Sequence, residues 1–149
     1  MRLAALWLHL LAMATWVGGL AYQTHLLLPA ARRGDAGLYA ETARRARPIT
    51  WTAVTVVVLT GFYNVTRLGP LERVMESSAG VLLAGKLILV LAAITLAGQR
   101  DFAQVPRLRQ ALAAGGSPGP ALAAIAWLDR AVLLLALAIV YLGLAVSRA

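Results

Sequence analysis

The 149-residue chain is 60% hydrophobic and 13% charged, with a formal net charge of +8 and no cysteine. A soluble domain usually carries about 25% charged residues, so this composition excludes an ordinary soluble enzyme and indicates a membrane protein. The basic excess comes almost wholly from arginines near the ends of apolar runs, which is typical of contact with lipid head groups and argues against nucleic-acid binding. The absence of cysteine excludes disulfides, thiolate metal sites and covalent c-type haem attachment.

Four apolar runs follow one another along the chain, at about residues 3–28, 49–68, 80–98 and 122–147. Each is close to the ~20 residues that a helix needs to cross a bilayer. The connections between them are too short for a separate soluble domain. The sequence therefore predicts a single domain over residues 1–149, an all-α integral membrane bundle of four helices that run alternately up and down. The lipid bilayer is its first expected partner.

The segments between these runs indicate where helices begin and end. Gly34 and Asp35 predict the start of a short helix, and Pro48 suits the first turn of the second span. A short amphipathic stretch over 71–75 should lie on the membrane surface. The Gly- and Pro-rich segment 115–120 is a break before the fourth run. We see no convincing sequence repeat, although two pairs of runs of similar length leave a distant duplication open.

The arginines are distributed unequally between the two sides of such a bundle. Nine lie on the side of the first and third connections, namely Arg32, Arg33, Arg44, Arg45, Arg47, Arg100, Arg107, Arg109 and Arg130. Four lie on the opposite side, namely Arg2, Arg67, Arg73 and Arg148. Because short cytoplasmic loops carry the excess of basic residues, the first side should be cytoplasmic and both termini should lie outside. The expected location is the plasma (inner) membrane.

Two ionisable side chains lie inside the apolar runs. His9 is about six residues into the first run, and Lys86, the only lysine, is about six residues into the third. The first and third helices of an up-and-down bundle are parallel, so both groups should lie roughly 9 Å inside the outer face at ~1.5 Å per residue. An ionisable group inside a membrane is expensive, so this shared depth predicts a functional site in the outer half.

Other polar and soft side chains line up with these two groups. On the first helix, Met13, Trp16 and Gln23 fall within about 40° of His9, whereas His25 falls about 160° away. The two histidines therefore cannot share a site on this helix. On the antiparallel helices, hydroxyl and amide groups at the same depth could complete a polar pocket: Thr60, Tyr63, Asn64 and Tyr141.

The face of the third helix that carries Lys86 is otherwise lined by small residues. Ala79, Ala93 and Ala97 share this face. Small residues let helices approach closely, so we expect this face to point into the bundle and away from lipid.

Each of these residues also has a purely structural explanation. His9 could simply hydrogen-bond a neighbouring helix, Lys86 could extend along its stem to the interface, and Met13 could be a packing residue. His25 and Asp129 lie at similar depth near the cytoplasmic face and could form a structural pair.

Two stretches resemble a known family. Residues 9–19, with a histidine, six residues and then Trp-x-Gly-Gly, look like the first-helix signature of the CopD copper-resistance membrane domain. Residues 82–90, with paired leucines and Lys86, followed by Arg100 and Pro106, resemble the third-helix pattern of the same family. The resemblance implies a membrane domain that handles copper.

The arrangement of histidine and lysine is also similar to the HemJ-type protoporphyrinogen oxidases, which are four-helix membrane proteins of about this length. In that family the first-helix histidine and the third-helix lysine are the functional pair, and haem b is the associated cofactor. That resemblance carries over to His9 and Lys86 only.

The residue chemistry favours a copper ion as the ligand. Imidazole and thioether suit Cu(I), and His9 and Met13 stand at i and i+4 on one helix face. The sequence therefore predicts His9 and Met13 as metal ligands. The wider set of predicted binding residues is His9, Trp16, Asn64, Lys86 and Tyr141.

Two alternatives remain open at this stage. The first is haem b, a porphyrin, with His9 as the axial ligand and Lys86 or an interfacial arginine facing the propionates. The second is a non-catalytic accessory subunit whose polar residues only hold the bundle. The sequence favours a protein that is not an enzyme; if it is one, we expect a haem-dependent oxidoreductase. A homodimer is compatible with a chain of this size.

Overall fold

The computed structural model describes residues 1–67 and 69–148, which form helices joined by turns, without a β-strand in these ranges. The α-helices of this part of the chain are α1 (Arg2–Tyr22), α2 (Leu28–Ala30), α3 (Ala36–Val65), α4 (Leu71–Met75), α5 (Ser78–Gln99), α6 (Val105–Ala113) and α7 (Gly119–Arg148). Wider π-helical turns lie at Gln23–Leu27, Ala31–Asp35 and Arg100–Gln104. The all-α prediction is thus confirmed for the described residues.

Three helical stretches are long and apolar enough to cross a membrane: Arg2–Val65, Ser78–Ala113 and Gly119–Val146. The first of them contains both the first and the second predicted span, because helical turns continue from α1 into α3. Gly34 interrupts this stretch with a φ of 126°, a conformation open to glycine and rare for other residues. The second predicted span was drawn to residue 68, which lies outside the described residues; α3 ends at Val65.

The long helices form two antiparallel pairs. α1 packs against α3, where His9 near the start of α1 meets Thr60 near the end of α3. α5 packs against α7, where Lys86 near the start of α5 meets Gly143 near the end of α7. We call these pairs the first and second hairpin. The end of the molecule that carries His9 and Lys86 is the His9 end, and the opposite end is the Arg100 end.

Two apolar clusters fill the interior. The cluster at the Arg100 end consists of Leu28, Ala31, Ala36, Tyr39, Ala40, Ala43, Val105, Leu108, Leu122, Ile125 and Ala126. The second, which we call the middle cluster, takes residues from all four long helices: Ala12, Trp16, Leu20, Ala53, Val54, Val57, Ala93, Ala97, Val132 and Ile139. Outside these clusters many large apolar side chains are exposed, Leu134 by 68% and Ile88 by 66%. Such surfaces are typical of helices that face lipid.

The structure corrects one predicted boundary and confirms another. No short helix ends ahead of Pro48: α3 continues through this proline, which lies on the exposed side of the helix. Proline removes one helical hydrogen bond, but Ala43 and Ala53 on either side are buried and keep the helix in place. The amphipathic stretch over 71–75 is a helix, α4, in which Val74 is buried.

A close approach of backbone to backbone fixes α4 against the start of α5. A Cβ at Gly80 would lie 2.8 Å from both the Cα and the carbonyl oxygen of Met75, and closer still to the carbonyl oxygen of Val74. We therefore expect Gly80→Ala to lower the free energy of unfolding by about 1–3 kcal/mol, because backbone atoms would have to move. Thermal unfolding in detergent measures this.

Gly18→Ala is the matched control for this variant. Gly18 also lies in a helix, but nothing stands within 4 Å of a Cβ at that position. Its substitution should leave the melting temperature unchanged or raise it slightly. Equal melting temperatures for the two variants would contradict the close approach.

Candidate functional site

His9 is held in a defined orientation by α3. Its side chain is partly buried, and its Nδ1 lies 2.9 Å from the hydroxyl oxygen of Thr60. That hydroxyl donates its single proton to a carbonyl of its own helix, at 2.5 Å from the oxygen of Val56. The threonine oxygen must therefore accept from Nδ1–H, and the neutral imidazole keeps its lone pair on Nε2.

A glycine lies directly beside the imidazole ring. A Cβ at Gly61 would stand 3.5 Å from Cε1 of His9, so the ring packs against bare backbone of α3. A larger residue at this position would crowd the ring. The sequence had placed Thr60 at the depth of His9, and this part of the predicted pocket is present.

Lys86 occupies a similar position in the second hairpin. It is partly buried, and its Nζ lies 3.3 Å from the position of a Cβ at Gly143. The ammonium therefore lies across the contact between α5 and α7, near the start of α5, as His9 lies near the start of α1. Ala93 and Ala97, on the same face of α5, are buried, as expected for a face that points inward.

The remaining predicted site residues are placed differently. Met13 packs against the middle cluster, and Asn64 is partly buried near the end of α3. Trp16 is also buried in the middle cluster, on the side toward the Arg100 end. Tyr141 is 72% exposed on the outer surface of α7, so its hydroxyl does not complete a pocket with His9. That part of the predicted pocket is corrected.

The described residues contain no group of three or more His, Cys, Asp or Glu side chains that could hold a metal ion. A metal at the His9 end would therefore have few protein ligands, with the imidazole as the main one.

A second polar site, at the Arg100 end, was not predicted. Arg100 is only 4% exposed and lies among buried polar side chains from four segments of the chain. Its Nη1 donates to Asp101 at 2.6 Å, and its Nη2 donates to the hydroxyl of Tyr39 at 2.8 Å and to the amide oxygen of Gln23. We call these residues, together with Asp129, the Arg100 cluster.

Asp129 is fully buried and pairs with Arg100. Its Oδ1 lies 2.7 Å from Nε of Arg100. The N–H is poorly aligned with that oxygen, since neither atom has a hydrogen bond within the described residues. We therefore treat the contact as an ion pair without an ideal hydrogen bond. Tyr39 adds only a long contact of 3.5 Å to the other carboxylate oxygen.

Residues around the Arg100 cluster extend it toward α3. Asp101 accepts a hydrogen bond from Nε1 of Trp51 at 2.9 Å, and its backbone carbonyl accepts one from Arg47 at 2.6 Å. The guanidinium of Arg47 lies over the ring of Phe102, 5.0 Å from its centre. A cavity of about 10 Å³ beside Arg100 has room for one water.

The predicted pair of His25 and Asp129 is wrong. His25 is exposed, and its Nδ1 lies 3.0 Å from the carbonyl oxygen of Ala21. Asp129 pairs with Arg100, because a fully buried carboxylate needs a charge that reaches it inside the bundle. One signal in the sequence could have shown this: Asp129 interrupts an apolar run, and Arg100 directly follows another at the same end.

Helices long and apolar enough for a bilayer, with ionisable groups turned inward between them, define an integral membrane protein. Residues 40–146 of the chain match the family described as copper resistance protein D, CopD. The match covers more than half of the chain, and the protein belongs to the CopD family. The matched residues include Lys86 and Arg100 but not His9. None of the curated proteins and none of the solved structures compared with the chain matches it.

The Arg100 cluster should dominate stability at its end of the molecule. Arg100→Gln leaves two buried carboxylates without their cation, so we expect the free energy of unfolding to fall by about 3–5 kcal/mol. Arg45→Gln is the control, because it breaks an exposed pair with Glu41 and should change stability little. Chemical unfolding in detergent, followed by tryptophan fluorescence, gives both values. A similar loss in both variants would show that the buried pair contributes nothing special.

Proposed function

We propose that this protein is an up-and-down bundle of four membrane-spanning helices that handles copper at the His9 end. The family match supports a role in copper resistance. The two antiparallel hairpins and the break at Gly34 support four spans in one domain. The arginine count supports a plasma-membrane orientation with the Arg100 end in the cytoplasm and the His9 end outside.

The orientation of His9 is the observation that carries the proposal. The hydroxyl of Thr60 accepts from Nδ1–H, which leaves the lone pair of Nε2 available to a metal. Histidine ligands in metal sites usually donate their other ring N–H to a neighbouring acceptor, which fixes the tautomer and the ring plane.

Copper fits the donor atoms near His9. Imidazole nitrogen and thioether sulfur both suit copper, and Met13 lies one turn further along the same helix face. With imidazole and thioether as its protein ligands, copper is here a cargo rather than a resident cofactor. A transported ion must bind well enough to enter and weakly enough to leave, and a site with few ligands meets both conditions.

Lys86 favours a second candidate function. A bare copper cation beside His9 would be repelled by a charged ammonium in a low-dielectric site. An anionic group would be attracted instead, and haem b combines an iron for the imidazole with propionates for the lysine. In that case the protein would resemble the HemJ-type oxidases in activity. An absorption spectrum of the purified protein separates the two, because haem gives a Soret band and copper without haem does not.

His9 should be needed for the ligand and not for the fold. We expect His9→Ala to lose bound copper, with a melting temperature close to that of the parent, because the ring is only partly buried. The control is His25→Ala, which removes the other histidine of the chain from an exposed position. Copper content of each purified variant, measured by elemental analysis, should fall only in His9→Ala.

Two results would count against this assignment. If His9→Ala keeps its copper, the imidazole is not the ligand. If the variant instead fails to accumulate while each folded molecule still holds the parent amount of copper, His9 is a packing residue. If the parent and His25→Ala show a Soret band and His9→Ala does not, the ligand of His9 is haem and not copper.

The orientation follows from the nine-to-four distribution of arginines. A reporter that is active only outside the cytoplasm should give a signal when it is fused after the last residue, and none when it is fused after Arg109. The opposite pattern of signals would invert the orientation and place His9 on the cytoplasmic side.

A further inference from the structure

The two hairpins repeat one another residue by residue along their first helices. His9 and Lys86, Gln23 and Arg100, and Pro29 and Pro106 are each separated by 77 positions (86 − 9, 100 − 23, 106 − 29). The π-helical turns Gln23–Leu27 and Arg100–Gln104 have the same separation. So do the deeply buried pairs at the helix contacts: Trp16 and Ala93, Leu20 and Ala97, Leu28 and Val105, Ala31 and Leu108.

The second helices repeat in the same way, with a shift of 82 positions. The two glycines that face the ionisable residues, Gly61 and Gly143, are equivalent under this shift (143 − 61). Arg47 and Asp129, which contact Asp101 and Arg100 respectively, are equivalent as well. The buried positions again coincide: Ala40 and Leu122, Ala43 and Ile125, Val54 and Ala136, Val57 and Ile139. Leu59 and Tyr141 are both exposed, which accounts for the position of Tyr141 outside the pocket.

Equivalent residues of the two hairpins meet where the hairpins pack together. The amide of Gln23 and the guanidinium of Arg100 are hydrogen-bonded directly, although they come from different hairpins. Trp16 and Ala93 both belong to the middle cluster, which lies further from the Arg100 end. Side-chain contacts between equivalent positions of two repeats are those expected when a twofold axis runs between the repeats. Continued toward the His9 end, that axis passes between His9 and Lys86.

We infer that the chain is a duplicated helical hairpin and that its ligand binds on the pseudo-twofold axis, between His9 of one repeat and Lys86 of the other, as copper accompanied by an anion. This inference rests on the proposed copper function and adds the chemical form of the cargo. Each hairpin supplies one group and one glycine. The imidazole takes the metal, and the ammonium takes the negative charge that travels with it.

The two repeats have diverged at this end in a way that suits such a ligand. Thr60, which fixes His9, corresponds to Leu142 (142 − 60 = 82), so the lysine has no hydroxyl at the matching place. Its ammonium can therefore turn toward a bound group. A compact point charge with three donors binds a small anion in several orientations. The copper would enter as an anionic or neutral complex, such as one with chloride, and the repulsion between Lys86 and a bare cation would not arise.

The axis is tested by cross-linking. The chain has no cysteine, so pairs can be introduced without background. Ala12→Cys with Leu89→Cys places two thiols on equivalent positions, about one helical turn from His9 and Lys86, which are unchanged. Ala12 belongs to the middle cluster and Leu89 packs against it. A short bifunctional thiol reagent should join them within one chain. The control pair, Leu10→Cys with Leu87→Cys, is also equivalent but exposed, and should not be joined within one chain. Absence of the 12–89 cross-link, or equal linking of both pairs, overturns the axis.

The chemical class is tested by Cu(I) binding in chloride and in nitrate at equal ionic strength. For each protein we take the ratio of the Cu(I) affinity in chloride to the Cu(I) affinity in nitrate. We expect this ratio to be about tenfold higher for the parent than for Lys86→Met, because only the parent has a positive charge that can bind the anion. Arg73→Met removes an exposed positive charge from the same end, and should keep the ratio of the parent. Equal ratios in the parent and Lys86→Met would overturn the inference. The proposed function would survive that result if His9→Ala still lost copper, and it would fall if His9→Ala bound copper as the parent does.

Discussion

The buried contacts of Arg100 hold the two hairpins together at one end, and the arrangement of the other end depends on them. A charge inside a low-dielectric interior costs several kcal/mol unless it is paired. Arg100 pairs with two buried carboxylates of its own hairpin, and it also forms hydrogen bonds with Gln23 and Tyr39 of the first hairpin. The hairpins cannot slide past one another without leaving one of these groups unsatisfied. Their relative register is thereby fixed, and with it the shared depth of His9 and Lys86.

The middle cluster separates this network from the candidate site. His9 and Gln23 are 14 positions apart, as are Lys86 and Arg100 (23 − 9, 100 − 86), which corresponds to about 21 Å at ~1.5 Å per residue. Apolar side chains such as Trp16 and Ile139 occupy the space between. The charged groups of the Arg100 cluster contact one another at the opposite end of the molecule. The hydrogen-bond partner of His9 is accordingly Thr60 and not a member of the Arg100 cluster.

Helix content and the positions of His9 and Lys86 near the starts of their helices followed from the hydrophobic runs, because a bilayer sets the length of each run. The Arg100 cluster did not follow, because burial of Arg100 depends on the π-helical turns that aim it inward, and these have no plain signal in composition. The duplication was also hidden. The two repeats bury equivalent positions, but the residues at those positions differ, as in Trp16 and Ala93. A comparison of the sequences alone therefore shows little similarity.

The asymmetry of the pair has a physical reason if the hairpins are copies. Two lysines facing one another on the axis would repel, and nothing in the membrane would screen them. Two histidines would offer a symmetric pair of nitrogens, a stronger metal site from which an ion leaves slowly. With one imidazole and one ammonium, the imidazole binds the metal and the ammonium binds the accompanying anion. The hydroxyl of Thr60, present in only one repeat, then decides which side carries the fixed imidazole and which side stays free to follow the anion.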